Sequence, residues 1–197
     1  APLLLLGTPV TLFLRASRRP LRDRAIRLLH GRPLRTLTHP VVAWSLFALV
    51  MWVTHFSTLY DAALENELLH VAEHSLYMVA ALLFWWPVVG LEPGASRMSW
   101  PARLGYLALA MPQQAFLGLA IYSADAVLYP HYETLQRAWG PDPLDDQRLA
   151  GIMMWIGGDF LFLIALILGV LAWMRADTKE AARLDRRLDR TEEKSTP

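Results

Sequence analysis

Apolar residues run in long blocks separated by charged clusters, at about 1–14, 40–56, 67–91, 102–123 and 147–174. A helix needs about 20 apolar residues to cross a bilayer. The last three blocks meet that length, and the second is short but flanked by helix-compatible residues. The block at 1–14 falls short and reads as the inner part of a truncated span. The pattern therefore predicts an all-α polytopic membrane bundle, with four full transmembrane helices plus one N-terminally truncated span. Residues 175–197 are dense in mixed charge and form a cytoplasmic tail, with Leu184 and Leu188 on a short solvated helix. Local signals agree. Pro40 suits a first helical turn, where its missing N–H costs nothing. Trp85-Trp86-Pro87 is an interfacial aromatic pair closing the third span.

Charge orients the spans. Eight arginines and one acid, Asp23, lie between residues 15 and 35; more arginine stands at Arg97, Arg103 and 175–190. The intervening segments, 57–66 and 125–146, are acidic loops. The positive-inside rule places the arginine-rich segments and the C-terminus in the cytoplasm and the acidic loops outside. Leu21, Ala25, Leu28 and Leu29 share a helical period, which fits a helix on the membrane surface. No aromatic residue is interleaved with these arginines, so nucleic acid is not a partner.

Composition narrows the chemistry. Mean hydropathy of +0.27 and 54% hydrophobic residues argue against a soluble globule. There is no cysteine, so a soft metal would have to use His and Met. The chain begins at Ala1 with no basic leader, which suggests that the numbering starts inside a longer protein.

Ionisable groups inside an apolar span are costly and tend to be functional. The third span opens with His70-Val71-Ala72-Glu73-His74, and four-residue spacing puts both imidazoles on one helix face. His55 ends the second span, and a short connection makes the two spans antiparallel neighbours. The expected metal site is therefore His55, His70 and His74, with Glu73 orienting an imidazole. Met51 and Met78 lie one turn below His55 and His74, and Met153 and Met154 share the same half of the membrane. Met153 is taken as a supporting residue. Asp159, deep in the fifth span, is taken as a supporting polar residue, as a helix-packing hydrogen bonder, a proton site or a partner to Gln113 and Gln114, with a structural role favoured over chemistry. His30, His39 and His131 read as interfacial or hydrogen-bonded residues.

The motif His70-x-x-Glu73-His74 also matches the H-x-x-E-H zinc-protease pattern, in which the Glu activates a metal-bound water. A metal-free scaffold and haem ligation by His55 and His74 are further alternatives.

Several stretches resemble the CtaG-type family of bacterial cytochrome c oxidase assembly factors. They are Leu37-Thr38-His39-Pro40 with Trp44; Leu59-Tyr60-Asp61-Ala62-Ala63-Leu64; the His70 to His74 motif; Phe84-Trp85-Trp86-Pro87-Val88; Leu128-Tyr129-Pro130-x-Tyr132; and Asp146-Gln147-x-Leu149-Ala150-Gly151-x-Met153-Met154-Trp155. The resemblance implies a multi-pass plasma-membrane protein, with oxidase subunits as partners, that handles copper at the outer face without enzymatic turnover. Family members carry a further histidine-bearing helix ahead of the segment matching 1–14, so a fourth ligand is not assigned within this chain.

Overall fold

The computed structural model describes residues 1–93, 98–135 and 139–195, with side chains as far as residue 188. Arg97, counted above for orientation, and the last residues of the tail lie outside the described residues. Every regular element described is helical.

The first apolar block is not one helix. It divides into α1 (Pro2–Leu6) and α2 (Pro9–Ala16) at Thr8, whose φ is +48°. Pro9 keeps Thr8 out of the right-handed helical region, which ends α1 ahead of it. Thr8 in that conformation makes no side-chain cap for α2. Glu92, far along the chain and buried, caps it instead. Its carboxylate accepts from the Val10 and Thr11 backbone N–H groups and from the Thr11 hydroxyl, all at 3.0 Å. A carboxylate at a helix N-terminus satisfies orphan donors and complements the dipole. Two short basic helices follow, α3 (Arg19–Leu29) and α4 (Arg32–Leu37), neither with a buried residue.

The second block forms α5 (Pro40–His55), with Pro40 in its first turn. The segment expected as an acidic loop is instead helix α6 (Thr58–Glu65), capped by Ser57, whose hydroxyl accepts from the Leu59 N–H. The two helices meet at a 67° bend. α7 (Glu67–Val89) starts at Asn66, whose side chain accepts from Leu68 and Leu69, and stops at Gly90 with φ +63°. α8 (Trp100–Tyr122) starts at Ser99, which accepts from Ala102. The connection to the last helix carries one turn, α9 (His131–Thr134). α10 (Pro143–Ser195) runs unbroken from the apolar block into the charged tail, because no Gly or Pro interrupts residues 175–195.

Among the described residues, three helices are long and apolar enough to cross a membrane: α7, α8 and α10. At 16 residues α5 is too short alone, so the expectation of four full spans is met only in part; α5 and α6 together make a fourth, bent candidate. Phe160, Leu161, Leu168 and many similar side chains are exposed on the outside of the bundle. A bilayer accommodates such a surface, whereas water does not.

α8 and α10 share the most extensive interface. They touch backbone to backbone where Gly118 faces Gly151. Small residues at a crossing allow this approach between membrane helices. At the opposite end, Phe84, Tyr106, Leu107, Ala110 and Phe162 form the buried core, and the Tyr106 hydroxyl donates to the Phe84 carbonyl at 3.0 Å.

Candidate functional site

α5, α7, α8 and α10 bring His55, Glu67, Tyr122 and Pro143 to the same end of the bundle. Two arrangements occupy that end, and they point in different directions.

The first is on the outside of α7. His70 and His74 stack with ring centroids 4.3 Å apart, and both are exposed. With Met78 and Ser75 they border a shallow open groove. His74 Nδ1 lies 3.1 Å from the His70 carbonyl. A carbonyl oxygen only accepts, so Nδ1 carries the proton and the Nε2 lone pair is left free. This is the tautomer a metal-binding imidazole needs.

The second is inside. Thr54 and His55 turn toward the bundle: His55 Nδ1 donates to the Met51 carbonyl at 2.7 Å, and its ring lies 5.8 Å from that of Tyr77 and 5.7 Å from that of Tyr60. Tyr60 packs on Tyr129 at 4.3 Å, and the Tyr129 hydroxyl donates to the His55 carbonyl at 3.2 Å. Burial pushes the Tyr129 phenol up to about 12, aided by Tyr77, Tyr132 and Glu73, so it remains a donor at neutral pH. Gln147 ties the loop to α10: its Oε1 accepts from Leu128 N–H at 2.7 Å, and its Nε2 donates to the Ala126 carbonyl at 3.3 Å. The Asp61 carboxylate accepts from the His131 N–H at 3.0 Å, which fastens α9 to α6. His55, Tyr60, Tyr129 and Gln147 line a cavity of about 230 Å³, with Met154 and Asp146 also in its wall.

The three expected ligands are thus not brought together. His70 and His74 stand on the exposed face of α7, whereas His55 is held among the tyrosines. Among the described residues no group of three His, Asp or Glu side chains is placed to hold a metal ion. The helical spacing of 70 and 74 was sound; what periodicity could not supply was the rotation of α7 relative to α5. Glu73 does not approach the exposed pair either. It is 4% exposed and accepts from the Tyr77 hydroxyl at 3.0 Å, on the inner face with His55.

Met153 is 66% exposed, and its neighbour Met154 lines the cavity instead. Asp159 accepts from Trp155 Nε1 at 3.1 Å rather than from Gln113 or Gln114; its Oδ1 is buried without a hydrogen-bond partner among the described residues. Gln114 reaches the Met154 carbonyl at 3.5 Å. His30 bonds to the Ile26 carbonyl through Nδ1, and His131 lies 3.6 Å from Glu65. Tyr77, which no motif marks, joins the site through its place one turn after Glu73 on the same helix face.

Tyr60, Tyr129, Tyr132, Gln147 and Met154 come from three separate stretches, and the fold gathers them at one cavity. A family model described as cytochrome c oxidase caa3 assembly factor (Caa3_CtaG) matches residues 1–176. The chain belongs to this family. Uncharacterized proteins of Mycobacterium bovis and Mycobacterium tuberculosis are each 31% identical over 95% of this chain and 30% of their own length. One from Mycobacterium leprae is 29% identical over 96% of the chain and 30% of its own. The chain thus spans about 30% of the length of the curated relatives it matches. No solved structure matches.

Proposed function

We propose that this chain is the membrane-embedded part of an assembly factor that hands copper to a haem-copper cytochrome c oxidase at the outer face of the bacterial plasma membrane. One observation carries the reading: two imidazoles stacked at 4.3 Å on an exposed helix face, with the Met78 thioether beside the same groove. Imidazole and thioether suit Cu(I), and no thiolate competes for it in this chain. Copper is cargo here. An open His and Met face releases an ion more readily than a closed cage, and its exposure gives a partner access.

In this reading α5 with α6 crosses as a fourth, bent span. The arginines of α3 and α4 and the tail of α10 lie in the cytoplasm, so the histidine end faces outward. The tyrosine cavity holds the loop between α8 and α10 rigidly beside α7, as the docking surface for an oxidase subunit. His55 belongs to that support and not to the metal face.

The zinc-protease reading requires Glu73 to reach a water on the metal. The carboxylate is buried and bonded to Tyr77, which counts against it. The test is an anaerobic Cu(I) competition titration of the full-length membrane protein and its Glu73→Gln variant. One copper per chain in both is expected, with affinities within about tenfold, the low end of what a supporting partner costs. Absence of tight copper binding to the wild-type protein favours a metal-free scaffold and overturns the proposal.

A further inference from the structure

A second, larger cavity lies toward the other end of the bundle. It is a cleft of about 690 Å³ between α1, α5, α7, α8 and α10, within the range of about 300–1,000 Å³ usual for small-molecule sites. Its walls are almost wholly apolar, among them Leu6, Phe47, Trp85, Leu104, Phe162 and Leu168. One cation stands in its lining, Arg103, in the first turn of α8.

Arg103 is held in place without being neutralised. Its Nε donates to the Met98 carbonyl at 3.3 Å, and its guanidinium lies 5.0 Å over the Trp100 ring. It also lies against Gly90, where a Cβ would come within 2.9 Å of Nη2. The positive φ at position 90 is what favours glycine there. Among the described residues no carboxylate forms an ion pair with Arg103. An arginine fork fixed by its neighbours, whose outer N–H groups meet no acceptor among the described residues, matches a phosphate.

We propose that this cleft binds one anionic phospholipid of the inner leaflet, its phosphate on Arg103 and an acyl chain along the Phe47, Trp85 and Leu168 wall. The leaflet follows from charge: α8 begins at the end of the bundle shared by the arginines of α3 and α4, and that leaflet carries the anionic lipids. Apolar walls with a basic group at the cytoplasmic side are the recognised chemistry of such sites between membrane helices. The inference is independent of copper.

Native mass spectrometry of the full-length protein, delipidated in detergent and titrated with phosphatidylglycerol or phosphatidylcholine, tests it. The wild-type protein should retain one phosphatidylglycerol about tenfold more tightly than phosphatidylcholine: both present the phosphate, but the choline ammonium of the second brings a like charge close to Arg103, a repulsion of about 1 kcal/mol or more. Arg103→Gln should abolish that preference, and Arg103→Lys should restore part of it. Ala165→Trp, which fills the cleft, should lower binding of both lipids. Equal affinity for the two lipids in the wild-type protein would overturn the proposal. So would an unchanged preference in Arg103→Gln, or a cleft that takes up neither lipid.

Discussion

Replacing His70 and His74 together by alanine should remove tightly bound copper from the full-length protein and leave its fold intact. Loss of a group that merely supports a ligand costs about 10–100-fold in metal affinity, so loss of two ligands should exceed about 100-fold. Both side chains are exposed and neither packs in the core, so the melting temperature should change little; surface substitutions of this kind stay within about 0.5 kcal/mol. In cells the same variant should lower the copper content of the oxidase. His55→Ala should do the reverse. It leaves copper binding unchanged but removes the ring that stacks between Tyr60 and Tyr77, at a stability cost of about 1–2 kcal/mol. Copper stoichiometry and thermal unfolding on the two variants separate these outcomes.

The largest structural effect is expected at the crossing of α8 and α10. A Cβ on Gly151 would sit 2.8 Å from the Gly118 carbonyl oxygen and 2.8 Å from the Tyr122 backbone nitrogen. Both contacts are backbone, so no side chain can swing aside. Gly151→Leu must part the two helices at their principal interface, at a cost of about 3 kcal/mol or more. It should also open the tyrosine cavity, because Ala150, Gln147 and Met154 stand on the same stretch of α10. Gly157→Ala is the control. Nothing lies within 4 Å of a Cβ there, and alanine in a helix is favoured over glycine by about 0.8–1 kcal/mol. Thermal unfolding of the detergent-solubilised variants should move in opposite directions.

The difference between what the sequence revealed and what it concealed follows from the reach of each signal. Long apolar blocks mark α7, α8 and α10 because burying backbone in lipid requires helices of that length, which is a local rule. The break at Thr8 was equally local, written in the Gly7-Thr8-Pro9 sequence, yet apolarity on both sides concealed it. The acids Asp61 and Glu65 give α6 the composition of an outer loop, while Ser57 as N-cap is the local sign of its helix. The Glu92 cap on α2 spans more than 80 residues of sequence, and no pattern announces such a contact.

The site divides the same way. Spacing alone put His70 beside His74, since both lie on one helix. Adding His55 required the relative rotation of two helices, and Glu73 and Tyr77 took that inner position instead. The family resemblance picked out Tyr60, Tyr129 and Gln147 without a role. The structure supplies one, as the residues that close the cavity and tie the α8–α10 loop to α5 and α10.

Copper K-edge X-ray absorption on the copper-loaded full-length protein tests the central claim most directly. The account predicts scattering from two imidazoles and one sulfur, with the imidazole signal lost in the His70→Ala/His74→Ala variant and kept in His55→Ala. An imidazole signal that survives loss of His70 and His74 but vanishes with His55 would contradict it.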